Sequence, residues 1–103
     1  MNPKMKNDST DRLFQCILQL KDLDECYAFF EDLCTIHEIQ SLAQRLDVAH
    51  MLSVGKTYIE IGEVTGASTA TISRVNRSLQ YGSDGYKMAL SRTLPAAPEE
   101  SGV

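Results

Sequence analysis

Apolar side chains recur along the chain at three- and four-residue steps, and no segment alternates apolar with polar as a half-buried strand would. The expected fold is therefore all-α, with about six helices. Leu13, Ile17 and Leu20, with Cys16 beside them, make one stripe from about Thr10 to Lys21. Asp24 is placed to open a second helix, in which Cys26, Tyr27, Phe30 and Leu33 share a face. Thr35 precedes Glu38 by three residues, the reciprocal capping pattern that satisfies two orphaned backbone N–H groups, so a third helix starts there. Its predicted apolar face is Ile39, Leu42, Ala43, Leu46 and Ala49, continuing to Leu52, and Gly55 is placed to end it in a left-handed conformation.

The capping pattern recurs at Thr57 and Glu60 and opens a short helix through Val64, which Gly66 breaks. Ser68 then offers a cap hydroxyl to a helix with Ile72, Val75 and Leu79 on one face, and Gly82 stops it. Ser83 or Asp84 can cap a last helix with Tyr86, Ala89 and Leu90 as its apolar positions. Residues 1–9 are expected to be a flexible N-terminus, residues 10–94 one domain, and residues 95–103, PAAPEESGV, a disordered tail that cannot pack a core.

Phe14, Leu18 and Phe29 lie off the stripes of the first two helices, which are thus hydrophobic on more than one face. A chain of 103 residues has few interior sites in which to hide them, and a homodimer would bury the excess.

Residues 57–80 make a short capped helix, a tight turn and a second helix, the helix-turn-helix arrangement. Gly62 is expected where the two helices approach closely, Gly66 in the turn, and Ile61, Val64, Ile72 and Val75 inward. Ser68, Thr69, Ala70 and Thr71 then stand at the exposed start of the second helix, with Arg74 and Arg77 behind them. Small hydroxyl and methyl groups can approach base edges, and arginines reach phosphates or guanines. These six residues are the candidate contacts to double-stranded DNA. A helical hairpin that packs against another protein, without DNA, is the competing reading.

Charge changes this picture in one respect. The net charge of -4 argues against nucleic acid, but residues 64–95 carry a net +3 while residues 1–63 carry -5. The excess of basic over acidic side chains therefore falls on the second helix of the helix-turn-helix and on the last helix. A 43% hydrophobic and 23% charged composition is that of an ordinary globular domain. No apolar run is long enough to span a bilayer and the polar opening MNPKMKNDSTDR lacks a secretion signal, so a cytoplasmic protein without a membrane partner is expected. Cys16, Cys26 and Cys34 have no CxxC spacing and are expected to be reduced, mostly buried thiols.

GASTATISRVNRSL resembles the recognition segment of the tryptophan repressor, and the likeness extends back through TIHEIQSLAQRLDVAHMLSVGKTYIEIGEVTGA and forward through YGSDGYKMAL, over about residues 30–92. The wording is closer still to the Trp-repressor-related YerC/YecD group. The resemblance implies an interwound dimer, with residues 12–35 and the last helix at its interface, whose two helix-turn-helix units read a palindromic operator as a transcriptional regulator, most simply a repressor. It also implies a candidate ligand pocket. Arg45 and Arg74 stand at the positions of the two arginines that sandwich the corepressor's indole, Thr35 at the threonine and Ser78 at the serine. Val75 departs from the pattern, standing where the repressor has a glycine that leaves room for the ring. Overpacking of that kind costs about 1–3 kcal/mol. Tryptophan is therefore not expected to bind, and the identity of any effector stays open.

No cofactor, metal or catalytic activity is expected. Cys34 and His37 have C-x-x-H spacing but lack two further ligands, and no convergent set of nucleophile, base and oxyanion donor can be assembled.

Overall fold

A computed structural model describes residues 2–93, which contain six helices and no strand: α1 Asp8–Leu18, α2 Leu23–Leu33, α3 Ile36–Ser53, α4 Tyr58–Thr65, α5 Thr69–Tyr81 and α6 Gly85–Thr93. The tail expected at 95–103 lies outside the described residues. The chain divides into two compact units, Met1–Ile39 and Gln40–Val103.

In the first unit the helix starts are set by side-chain caps. The Asn7 carbonyl oxygen of the side chain accepts from the Thr10 N–H at 2.8 Å, so α1 begins at Asp8, inside the segment expected to be flexible. A Lys6–Asp11 ion pair ties the preceding residues to the helix. The second helix opens earlier than Asp24. The cap is Asp22, two residues upstream, whose carboxylate accepts from the Glu25 N–H at 2.9 Å, while the Glu25 carboxylate reaches one residue further back to accept from the Lys21 N–H at 2.8 Å. The predicted Thr35–Glu38 box is present, with bonds of 3.1 and 2.8 Å.

Neither α1 nor α2 has a single buried residue. Leu13, Ile17, Cys26, Phe29 and Phe30 are half-buried, with the Phe29 and Phe30 rings edge to face at 5.4 Å. Leu18 is 78% exposed and Tyr27 72%, and Phe14, Leu23 and Leu33 are exposed too. Tyr27 and Leu33, predicted on an inward stripe, are thus corrected to surface positions. The cysteines are free but not mostly buried: Cys16 is exposed and Cys26 and Cys34 are half-buried.

The second unit has a defined core of Val48 and Ala49 from α3, Ile61 from α4, Ala67 from the turn, and Ile72 and Val75 from α5, flanked by Met51, Leu52, Tyr86 and Leu90. Val48, Ile61, Ile72 and Val75 are fully enclosed, each contributing about 1.5–3 kcal/mol by burial. Three expectations are corrected here. Leu42 and Leu46 are exposed and Val48 is buried instead, because α3 is apolar on two faces and only the face of Val48, Ala49 and Leu52 meets this core. Val64 is 72% exposed because Thr65, four residues after Ile61, takes the inward side at the end of α4. Ala89 is exposed, whereas Tyr86 and Leu90 pack as predicted.

The end of α3 matches expectation. Gly55 has φ +89°, the Lys56 N–H reaches the Met51 carbonyl at 3.0 Å and the Gly55 N–H the Leu52 carbonyl at 3.1 Å, the paired bonds of a Schellman turn. Asp84, ahead of α6, adopts φ +62° and accepts the Met88 N–H on its carbonyl oxygen.

Candidate nucleic-acid interface

The helix-turn-helix is built by local capping at both ends of a short turn. At the start of α4 the Thr57 hydroxyl accepts from the Glu60 N–H at 3.1 Å while the Glu60 carboxylate accepts from the Thr57 N–H at 2.8 Å. That backbone bond, followed by one from the Thr57 hydroxyl, holds the Glu60 carboxyl below its ordinary value. Gly66 closes α4 at φ +74°, its N–H donating to the Gly62 carbonyl at 2.9 Å. Only a residue without a Cβ adopts that conformation freely. Gly62 is less demanding than expected, since a Cβ there would meet the Ala67 carbonyl oxygen at 3.6 Å, an ordinary contact.

Three further bonds fasten the turn. The Thr65 hydroxyl donates to the Ile61 carbonyl at 2.7 Å and accepts from the Ala67 N–H at 3.1 Å, and the Gln44 side chain donates to the Thr65 carbonyl at 3.0 Å. Beyond the turn the Ser68 hydroxyl accepts from the Thr71 N–H and donates to the Thr71 hydroxyl oxygen, both at 3.1 Å. The two helices are also joined by Asn76, whose amide donates to the Tyr58 hydroxyl at 3.3 Å. Gln44, Thr65, Tyr58 and Asn76 were not singled out from the sequence, because each acts through a partner that periodicity does not reveal.

Ile72, Val75 and Leu79 turn one face of α5 inward. At 100° per residue the opposite face carries Ala70, Ser73, Arg74, Arg77 and Tyr81, all of them exposed. Of the predicted contacts, Ser68, Thr69, Ala70, Arg74 and Arg77 are exposed and Thr71 is half-buried at the edge. Ser73, one turn beyond Thr69 and Ala70, belongs to the same face and was missed; the 3.6-residue period alone could have found it. Helix α5 carries Arg74 and Arg77 and no acidic residue, and its N-terminus adds the positive end of the helix dipole.

Of the five candidate ligand residues, Thr35, Arg45 and Val75 are engaged in other ways and the remaining two stand exposed. The Thr35 hydroxyl caps α3, and the half-buried Arg45 donates to the Ser41 carbonyl of its own helix at 3.4 Å. Arg74 and Ser78 are exposed, and Val75 is 1% exposed within the core. Among the described residues no hydrogen bond or ion pair joins Arg45, Arg74 and Ser78 to one another. No group of three or more His, Cys, Asp or Glu among these residues is placed to hold a metal ion, and no helix of them is long and apolar enough to cross a membrane.

This geometry agrees with what the chain resembles. The family model described as Trp repressor protein matches residues 8–94. The chain is 61% identical over 98 residues to the protein described as "Uncharacterized protein YerC" of Bacillus subtilis (strain 168), covering 95% of this chain and 94% of that one. Among solved structures, a TrpR-like protein from Eubacterium eligens ATCC 27750 superposes with a TM-score of 0.87 at 60% identity, covering 92% of this chain and all of that one. A candidate Trp repressor from Staphylococcus aureus gives 0.86 at 56% identity, over 89% of this chain and 93% of that one. By its sequence and its helical architecture, the chain belongs to the Trp repressor family.

Proposed function

We propose that the protein is a sequence-specific, double-stranded-DNA-binding transcriptional regulator that acts as a homodimer on a palindromic operator, with repression as its output. The observation that carries the reading is the outward face of α5, where small side chains at Thr69 and Ala70 lead into Arg74 and Arg77 with no carboxylate on the helix. Side chains of that size let the backbone approach base edges, and the arginines supply the counter-charge for phosphate. Thr71, half-buried beside them, contributes its methyl and hydroxyl at the rim of the same surface.

The dimer reading rests on the first unit. An apolar set that includes Leu18, Leu23 and Tyr27 stands in water on helices with nothing buried. A second copy seated on this face would cover it through an isologous contact, and twofold symmetry in the protein requires twofold symmetry in the site it reads. The effector side of the reading is negative: Val75 fills core space, so the protein works without tryptophan. Electrophoretic retardation of genomic fragments at low salt tests the proposal. Retarded complexes support it, whereas a dimer that never retards DNA would favour a helical protein-interaction module.

A further inference from the structure

In the first turn of α5 a chain of hydrogen bonds runs from the backbone through two hydroxyls. The Thr71 N–H donates to the Ser68 hydroxyl oxygen, and the Ser68 hydroxyl donates to the Thr71 hydroxyl oxygen, both at 3.1 Å. We infer that Ser68 primes Thr71 as a hydrogen-bond donor, so that Thr71 favours a base with an acceptor on its major-groove edge over cytosine, whose edge offers only an amino group. The inference rests on the DNA-binding reading and adds to it the polarity of one base contact and a positioning role for Ser68.

The polarity follows from how the bonds feed one another. The Ser68 oxygen already accepts an N–H, which polarises its own O–H into a better donor, and the Thr71 oxygen that receives this bond is polarised in the same sense. With its lone-pair density drawn on, the Thr71 hydroxyl accepts a second bond less readily than it donates one. The field of the helix N-terminus acts in the same direction, since its positive end attracts lone pairs and turns hydroxyl hydrogens away. The Thr71 hydrogen is also not spent on the backbone. Thr65 and Thr93 each donate to the carbonyl four residues earlier at 2.7 Å, whereas among the described residues Thr71 makes no such bond to the Ala67 carbonyl. Thr71 is half-buried, and Ser68, Thr69 and Ala70 ahead of it are exposed and small enough to let a base edge approach. Guanine N7 and O6, adenine N7 and thymine O4 are the acceptors such a hydroxyl can meet.

The test uses the full chain and a site selected from a random duplex pool, with relative affinities measured for the four bases at every position. The unaltered protein should disfavour cytosine at one position of each half-site by about three- to tenfold against the best acceptor-bearing base, and Thr71→Val, which keeps the methyl and removes the hydroxyl, should erase that difference alone. Ser68→Asp keeps a side-chain acceptor for the Thr71 N–H, so the helix cap survives, but its carboxylate takes the Thr71 hydrogen and leaves lone pairs outward. Cytosine should then match or exceed the other bases at that position, whatever the uniform loss caused by the added charge. Ser68→Ala, which cannot donate, should flatten the same preference, and Ser68→Thr, which keeps both donor and acceptor, should restore the unaltered profile. Circular dichroism checks the helix in each variant, and a merely structural Ser68 would change stability or overall affinity without reversing one base preference. A profile that Thr71→Val leaves unchanged, or a Thr71→Val protein weakened equally on all sequences, overturns the inference while leaving DNA binding standing. So does a cytosine preference that is the same in Ser68→Asp, Ser68→Ala and the unaltered protein. If the unaltered protein retards no duplex, the inference and the functional reading fail together.

Discussion

The Gln44 side-chain amide on α3 donates to the Thr65 carbonyl in the turn between α4 and α5 at 3.0 Å, across 21 residues of sequence. It fastens the helix-turn-helix to the helix that carries Val48 and Ala49, on the side of α5 away from its exposed face. Removing the donor leaves a partly buried carbonyl without its partner. Gln44→Ala should therefore destabilise the protein by about 1–3 kcal/mol, a fall in melting temperature of several degrees by calorimetry. An unchanged melting temperature would mean that the bond is not made in solution.

The cap at the start of α4 is pH-dependent. The Glu60 carboxyl is held below its ordinary value of 4.5 by the Thr57 N–H and hydroxyl, so the box contributes stability fully above that value and loses it as pH falls through the lower folded value. Glu60→Gln removes this ionisation and keeps an acceptor. Thermal unfolding followed from neutral pH into acid should show a gap between the two proteins that narrows below the ordinary carboxylate range. A constant gap would place the linkage elsewhere.

Tryptophan should neither bind nor alter DNA affinity. Val75 is enclosed with Val48, Ile61 and Ile72, and a close-packed core does not admit a flat ring by small shifts. Calorimetric titration decides this, and saturable binding at submillimolar tryptophan would show that the backbone moves to make room.

Dimerisation through the first unit predicts an asymmetric response to mutation. Leu18 is among the most exposed apolar residues of a single chain, so Leu18→Asp costs an isolated monomer only about 0.5 kcal/mol. In a dimer it buries an unpaired charge. Sedimentation should give about twice the 11.4 kDa of one chain for the unaltered protein and a monomer for Leu18→Asp. A monomer in both cases removes the palindromic operator along with the dimer.

What could be read from the sequence was what local chemistry decides. The boxes at Thr35–Glu38 and Thr57–Glu60, the left-handed Gly55 and Gly66, and the inward Ile72 and Val75 need only neighbours within four residues. Leu42 and Leu46 were misplaced because α3 has two apolar faces and periodicity cannot say which one a given core takes. Gln44 with Thr65 and Tyr58 with Asn76 were invisible because their bonds span 21 and 18 residues. On the candidate interface, Ala70, Arg74 and Arg77 came from composition and period, whereas the half-burial of Thr71 depends on how α5 lies against the core.

Selection of bound sequences from a random duplex pool tests the functional reading most directly. The expected result is a twofold-symmetric site with half-site centres one helical turn apart, roughly 34 Å, in which Thr71→Ala changes the preference at particular positions and Arg77→Ala changes none. A pool that stays random through successive rounds, or an enriched site whose profile is identical for Thr71→Ala at every position, would contradict it.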